Sequence, residues 1–147
     1  MEYNHKQFGT VIVIGFLVPT IFILFLPFIM GDFPPVLFIA IVVIAISFPI
    51  FYSLTVKIGG GILTCYFGVG LIQKQILLSD IKEFRAVRNP WFVGWGIRWM
   101  PGQYWLWNVS GLQAVELVFN NGKRFRIGTD EPENLVNAIQ INKSSAA

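Results

Sequence analysis

The sequence predicts a transmembrane α-hairpin followed by a mainly-β domain. The chain has 147 residues, of which 54% are apolar and only 13% are charged, whereas soluble domains carry about a quarter charged residues. The first 56 residues contain only three charged side chains, and the remainder carries ten basic and six acidic ones. Near residue 54 the long apolar runs end and apolar and polar residues begin to alternate. We therefore place the hairpin in residues 1–53 and a mildly basic β-domain in residues 54–141.

Two uncharged runs define the predicted hairpin. Residues 8–30 would form roughly 34 Å of helix, enough to cross a hydrocarbon core of about 30 Å. Residues 34–52 would form a second helix of roughly 28 Å. The link "GDFPP" predicts a tight turn, because Asp32 accepts hydrogen bonds at a helix start and Pro34 suits a first helical turn. A cleaved signal peptide is disfavoured because a second apolar run follows at once.

The few charges near the hairpin predict its orientation. Lys6 precedes the first helix, Lys57 follows the second, and Asp32 is the only charged residue of the link. Basic residues concentrate on the cytoplasmic side of membrane proteins. We therefore expect a multi-pass protein of the cell membrane with both termini in the cytoplasm.

Alternating apolar residues predict seven strands after the hairpin. Four precede a tryptophan-rich stretch, about one lies within it, and two follow, joined at Asn121–Gly122 by a mirror-image turn with both residues at positive φ. The predicted strands are residues 54–58, 62–67, 71–77 and 81–87, then either 97–100 or 104–107, then 114–119 and 123–127.

A helix is predicted at about residues 131–141, followed by a frayed tail at residues 142–147. Asp130 is a candidate cap, Pro132 suits the first turn, and Glu133 stands where a capping box wants a carboxylate. Seven antiparallel strands with a terminal helix fit a bent sandwich or partly open barrel. Strand spacing alone also permits a five-stranded oligonucleotide-binding-type barrel with two strands miscounted.

Three stretches resemble bacterial PH-like (pleckstrin-homology-like) domains that follow a two-helix membrane hairpin: "LLSDIKEFRAV", "GWGIRWMPGQYWLWNVSG" and "AVELVFNNGKRFRIGTDEPENL". The resemblance covers about residues 54–141. It implies a PH-like fold beside the inner membrane of a bacterium, and it implies no activity and no catalytic or ligand residue.

The chain offers little for catalysis. His5 is the only histidine, and we expect it to be solvated near the lipid headgroups; Cys65 is the only cysteine, and we expect it to pack as a small hydrophobic residue. The glycine triplet lacks the Lys-Ser/Thr of a phosphate loop. The acids of "TDEPE" are expected to serve the helix dipole. We therefore predict no enzyme, no catalytic residue, no cofactor and no metal site, and the scattered basic residues predict no nucleic-acid partner.

All five tryptophans lie between Asn89 and Asn108. Trp105 and Trp107 point to one side of a strand, opposite Tyr104 and Leu106, so one of these two faces belongs to the core. Tryptophan also favours the membrane interface, where its ring is buried and its N–H is wet. We therefore expect the stretch to be part core and part exposed edge. The candidate membrane or partner surface comprises Lys82, Arg85, Arg88, Trp91, Trp95, Arg98 and Trp99.

These features favour a membrane-anchored, non-enzymatic module that docks to anionic lipid headgroups or to a membrane protein partner. Two alternatives remain: a self-associating scaffold, including a homo-oligomer, and an accessory subunit of a transport or enzyme complex. Transport by this chain alone is disfavoured, because the predicted spans contain no charged residue.

Overall fold

The computed structural model describes residues 2–145, which form three α-helices and nine strands. In chain order these elements are β1 (Tyr3–Phe8), α1 (Thr10–Met30), α2 (Pro35–Phe51), β2 (Ser53–Gly59), β3 (Ile62–Phe67), β4 (Ile72–Leu77), β5 (Ile81–Arg88), β6 (Gly96–Met100), β7 (Tyr104–Asn108), β8 (Gln113–Phe119), β9 (Arg124–Gly128) and α3 (Pro132–Ser145).

Helices α1 and α2 form an antiparallel pair close to the predicted bounds. Phe16 and Phe48 meet edge-to-face across the pair, with ring centroids 5.9 Å apart. The hydroxyls of Thr20 and Ser47 each donate to a carbonyl four residues earlier in the same helix, so neither needs water. Neither helix contains a buried residue. Their apolar surface is therefore left for an environment outside the chain.

Strand β1 was not predicted. It pairs antiparallel with β2, from Tyr3 opposite Ile58 to Phe8 opposite Ser53. The segment "YNHKQF" alternates, but its inward side chains are mostly polar, so it resembles a membrane flank rather than a core strand. The chain therefore enters the hairpin from one strand and returns from it into the neighbouring strand of the same sheet.

The nine strands form two sheets, and no closed barrel forms within residues 2–145. The first sheet has the order β1-β2-β3-β4 and the second β5-β8-β9-β7-β6. Both candidate strands of the tryptophan-rich stretch exist, as β6 and β7. The prediction of seven strands, all antiparallel, is wrong, because β7 runs parallel to β9. Alternation identifies a strand but does not identify its neighbour.

The main core lies between the two sheets and under α3. Leu135 and Ile139 of α3 are fully buried against it. The prediction of a frayed tail is wrong for residues 142–145, which continue the helix; residues 146–147 lie outside the described residues. Two contacts hold this last turn: Asn142 Nδ2 donates to the Ala138 carbonyl over 2.8 Å, and the Lys143 ammonium donates to the Ile81 carbonyl.

The β8–β9 hairpin forms where predicted, but its turn is of another type. Gly122 has φ 81°, and no non-glycine residue among residues 2–145 has positive φ. The Gly122 N–H donates to the Phe119 carbonyl, and the Phe119 N–H donates to the Lys123 carbonyl, both over 2.9 Å. This is a three-residue loop with glycine at its last position. The mirror-image turn is wrong, because Asn121 keeps a negative φ and its Oδ1 accepts from the Lys123 N–H.

Three backbone hydrogen bonds hold the junction between the hairpin and the β-domain. The Gly9 N–H donates to the Tyr52 carbonyl, the Gly68 N–H to Ser53, and the Val69 N–H to Pro49, over 2.8, 2.8 and 3.2 Å. The β3–β4 turn thus lies directly against the last turn of α2. We call this side of the β-domain its helix-proximal end.

Candidate functional site

The loop that carries Trp91 is anchored at the helix-proximal end on both sides. The Asn89 N–H donates to the Leu112 carbonyl over 2.7 Å, and Trp95 Nε1 donates to the Gly111 carbonyl over 3.0 Å. Residues 111 and 112 line one cleft together with Thr10, the first residue of α1. The loop therefore leaves and returns beside the start of α1.

Within this loop one side chain points inward and two point outward. Val93 is buried with Tyr104 and Leu106 in a small second cluster on the outer face of the second sheet. Trp91 and Phe92 are 77% and 66% exposed and meet each other edge-to-face. Val93 therefore packs the loop against the sheet, and the rings of Trp91 and Phe92 remain exposed.

Strand β7 uses both of its faces for packing. Trp107 is 9% exposed and contacts Phe67 and Phe125, with ring centroids 5.1 and 5.6 Å away. Leu106 points the other way and is fully buried in the second cluster. Trp105 shares the face of Trp107 but lies further from the helices and is 49% exposed. The sequence predicted that only one face of this strand is buried, whereas the structure buries side chains on both faces.

Arg85 is not a free surface base. Glu116 is fully buried and accepts from Arg85 at 2.6 Å and from Arg126 at 2.7 Å. Burial alone would raise the pKa of Glu116, but the hydrogen bonds and charges of the two guanidinium groups lower it overall. The Arg126 guanidinium also lies 3.6 Å above the ring of Tyr104. This Arg–Glu–Arg group therefore holds β5, β8 and β9 together from outside.

The structure does not bring the predicted surface residues into one patch. Lys82 and Arg88 stand near opposite ends of β5, about 20 Å apart at roughly 3.3 Å per residue. Arg98 donates to the Trp95 carbonyl over 3.0 Å. Trp91 and Trp95 lie on the anchored loop, and Arg88 at the end of β5 and Arg98 on β6 flank it at opposite edges of the second sheet.

Trp99 does not lie on the anchored loop but on strand β6. It lies opposite Trp105 in the β6–β7 pair, with ring centroids 6.2 Å apart. Trp99 is three residues along β6 from Gly96, which pairs with Asn108 near the helix-proximal end. This distance is about 10 Å. Trp99 and Trp105 therefore form a second exposed aromatic pair, further from the helices.

Two further apolar residues at the helix-proximal end were missed by sequence reasoning. Val69 and Leu71 are 62% and 74% exposed in the β3–β4 turn, next to the last turn of α2. The signal was present in "GVGL", because solvent-facing turns favour polar residues rather than branched apolar ones. With Trp91, Phe92 and Trp95, these residues form what we call the helix-proximal apolar group.

The expectation that His5 is a solvated side chain is wrong, because acidic side chains engage its ring. His5 lies on β1, and its Nε2 is 2.6 Å from Asp130 Oδ1, with its Nδ1 3.6 Å from Glu131 Oε2. The neighbouring Tyr3 has a pKa raised to about 12 by burial and by the charges of Glu131 and Asp130. Asp130 and Glu131 therefore fasten β1 to the start of α3, a role the helix-dipole interpretation did not include.

Groups suited to catalysis are scarce among residues 2–145. Cys65 is fully buried, and burial raises its thiol pKa to about 12, so it packs as a small hydrophobic residue, as predicted. In this part of the chain no three histidine, cysteine, aspartate or glutamate side chains stand close enough together to hold a metal ion.

One helix of the described chain, α1, is long and apolar enough to cross a membrane, with a mean hydropathy of 2.7. Helix α2 is also apolar but has only 17 residues. Comparison of the sequence and fold with protein families, curated proteins and solved structures finds no match. The chain is an apolar helical segment joined to a two-sheet β-domain with a C-terminal helix.

Proposed function

We propose that this chain is a membrane-anchored, non-enzymatic docking module of PH-like architecture. In this proposal α1 and α2 cross the inner membrane of a bacterium as a hairpin, and the β-domain rests its helix-proximal end on the cytoplasmic headgroup layer. Lipid headgroups are the first partner, and a membrane protein is the second candidate.

The pairing of β1 with β2 supports two crossings. Residues before α1 and after α2 are neighbours in one sheet, so they lie on the same side of any membrane that α1 crosses. Helix α2 must then return through the bilayer. At about 1.5 Å per residue its 17 residues span about 26 Å, and local thinning of the bilayer accommodates a short span at modest cost. Lys6 and Lys57 favour the cytoplasm for this side.

The observation that carries the docking proposal is the helix-proximal apolar group. Soluble proteins rarely leave large apolar patches uncovered without a partner. Val69 and Leu71 are strongly exposed in the β3–β4 turn beside α2, and Trp91 and Phe92 are strongly exposed on the loop whose ends bond residues 111 and 112. Tryptophan at this depth favours the headgroup region. The helices hold these side chains against the bilayer at high local concentration, so weak contacts suffice to orient the domain.

Electrostatics adds a smaller contribution. Arg88 and Arg98 flank the anchored loop, and each basic group near an anionic surface contributes about 1 kcal/mol. Arg85 contributes less, because it already pairs with Glu116. We therefore expect salt to weaken the contribution of the arginines to the free energy of membrane binding. The contribution of the aromatic rings should not depend on salt.

The two sheets and the C-terminal helix that packs on β2, β5 and β8 support the PH-like assignment. The parallel β7–β9 pair and the added β1 strand depart from the predicted seven-stranded form. The buried, unreactive Cys65 and the engagement of His5 by Asp130 and Glu131 support a non-enzymatic role.

Quenching of tryptophan fluorescence by lipids tests the docking proposal. The full chain is placed in nanodiscs containing lipids brominated near the headgroup, and Trp91→Phe is compared with the matched control Trp99→Phe. We expect the quenched fraction of the emission to fall in Trp91→Phe and to change little in Trp99→Phe, since Trp99 stands further out along β6. Equal changes in the two variants, or a larger fall in Trp99→Phe, would contradict the proposed docking.

A protein partner has its own supporting observation. Trp99 and Trp105 are 60% and 49% exposed, and they line a groove of about 460 Å³ together with Lys123 and Arg124 on the β8–β9 hairpin. This groove lies away from the helices, so lipid does not reach it in the proposed orientation. An aromatic, basic groove of this kind suits an acidic segment of a membrane protein or of a second copy.

A further inference from the structure

A polar cleft of about 390 Å³ opens where the two sheets part at the helix-proximal end. One wall comes from the β1–α1 junction, with Gln7 and Thr10, and the other from the ends of β5, β8 and β9, with Arg88, Gln113 and Thr129. Asp130 lies at its side. Its volume falls at the small end of the range for small-molecule sites.

The depth of this cleft is fixed by α1. Thr10, which lines it, is the first residue of a helix of 21 residues, about 31 Å long. A hydrocarbon core is about 30 Å thick. If α1 spans the bilayer, the cleft therefore lies in the headgroup layer, where a lipid headgroup is the most concentrated candidate occupant.

One side of the cleft suits a phosphate. Among residues 2–145 the Arg88 guanidinium has neither an ion-pair nor a hydrogen-bond partner. Helix α1 also begins here without a side-chain cap, because its N-cap residue is Gly9. The first amides of an uncapped helix lack acceptors and carry the positive end of the dipole. An arginine beside such amides is a common arrangement for anion binding.

The other side of the cleft suits a cation that donates hydrogen bonds. Gln7 is 6% exposed, and its Nε2 donates to the Ser110 carbonyl over 3.2 Å. This contact fixes the amide orientation, because the reverse orientation would set two oxygens against each other. Gln7 Oε1 is then a buried acceptor without a donor, which is costly unless a partner is supplied. The Asp130 carboxylate adds a negative charge nearby; it is 60% exposed, and its Oδ1 lies 2.6 Å from His5 Nε2.

We propose that this cleft binds the headgroup of a zwitterionic phospholipid with a primary ammonium, of the phosphatidylethanolamine class. The phosphate lies at Arg88 and the first turn of α1, and the ammonium lies toward the exposed carboxylate of Asp130. This inference rests on the proposed membrane placement and adds a headgroup preference to it.

Native mass spectrometry of the full chain in detergent tests the inference. Phosphatidylethanolamine, phosphatidylcholine and phosphatidylglycerol of equal chain length are added separately. Phosphatidylcholine keeps the positive charge but has no N–H donor, and phosphatidylglycerol keeps the phosphate without the ammonium. We expect phosphatidylethanolamine to bind most tightly. Arg88→Gln should weaken its binding about tenfold, the size expected for one lost charge-assisted contact.

Two further variants complete the experiment. Asp130→Asn should reduce the preference for phosphatidylethanolamine over phosphatidylglycerol without weakening phosphatidylglycerol, and Lys82→Gln, an exposed base at the far end of β5, should change nothing. Arg88 is exposed and unpartnered, so its variant is expected to fold. Equal binding of the three lipids, tighter binding of phosphatidylglycerol, or an unchanged Arg88→Gln variant would overturn the inference. If Trp91 quenching persists while this preference is absent, only the headgroup site fails and the docking proposal stands.

Discussion

The two ends of the β-domain differ in what they expose. At the helix-proximal end, the β3–β4 turn exposes Val69 and Leu71, and the loop whose two anchors lie at this end exposes Trp91 and Phe92. At the opposite end, the β8–β9 turn exposes Asn120, Asn121 and Gly122, and the β6–β7 turn exposes a proline, a glycine and a glutamine. Both ends consist of short loops, so loop length does not explain the difference.

The comparison separates tryptophans that hold the fold from those that face outward. Trp107 lies in the main core between the sheets. Trp91 is exposed, because the neighbouring Val93 is the loop side chain that packs against the second sheet. Both residues belong to one short stretch of sequence. Their difference shows that the exposed rings are not needed to complete the core.

The sharpest test of this distinction is a matched pair of truncations. Trp107→Ala removes a ring packed between Phe67 and Phe125 and should lower the free energy of unfolding by about 3–5 kcal/mol. Trp91→Ala should change it by less than about 0.5 kcal/mol, as for an ordinary surface substitution. Thermal unfolding of both variants in the same detergent measures the difference. Similar losses in the two variants would mean that the anchored loop is part of the core.

A glycine at each end gives the next largest contrast. A Cβ on Gly68 would lie 2.1 Å from the Pro49 carbonyl oxygen, at φ +45°, whereas a Cβ on Gly122, at φ +81°, would meet nothing within 4 Å. Gly68→Ala should therefore cost about 3 kcal/mol through strain and collision. Gly122→Ala should cost only about 1–2 kcal/mol, from its backbone conformation. Equal shifts in melting temperature would show that the β3–β4 turn is not held against α2.

The Arg85–Glu116–Arg126 group predicts an effect that depends on pH. Because the folded pKa of Glu116 is lowered, its carboxylate stabilises the fold above the ordinary glutamate pKa of about 4.5, and this contribution is lost as the pH falls through the folded value. Glu116→Gln should cost about 2–3 kcal/mol at pH 7, because two guanidinium groups lose their counter-charge.

The difference in free energy of unfolding between Glu116→Gln and the native chain should become smaller as the pH falls. Chemical unfolding between pH 7 and pH 3 measures it. A gap that stays constant over this range would mean that the charge of Glu116 does not contribute.

Sequence periodicity predicted the helices and most strands well, because alternation reports on the one buried face of a strand and long uncharged apolar runs form helices whose apolar surface faces outside the chain. It failed where polar residues were buried in pairs. Glu116 alternates like a surface residue, yet it is fully buried, because Arg85 and Arg126 reach it from neighbouring strands. From the sequence alone His5 is interpreted as a solvated residue that flanks the membrane, because the sequence does not show that Asp130 lies beside it. Such partners are 10 to 125 residues apart in the chain.

The candidate surface was predicted less well than the fold. The sequence grouped Lys82 with Arg88 because they are close in the chain, but an extended strand separates them along its length. The sequence also placed the whole β-domain in residues 54–141, after the hairpin. Since β1 precedes the hairpin and pairs with β2, a fragment that starts at residue 54 would leave the edge of β2 bare.

The central claim is that the chain crosses the membrane twice and returns to the strand beside the one it left. Labelling with an impermeant thiol reagent tests it most directly, using single-cysteine additions at Asn4 on β1, Phe33 in the link between the helices, and Asn121 in the β8–β9 turn. The native Cys65 is fully buried, and its thiol pKa is raised to about 12, so its background labelling should be low. In intact cells we expect Phe33→Cys to be labelled and Asn4→Cys and Asn121→Cys to be protected until the membrane is permeabilised. Labelling of Asn4→Cys and Asn121→Cys from opposite sides, or protection of Phe33→Cys on the same side as Asn121→Cys, would contradict the account.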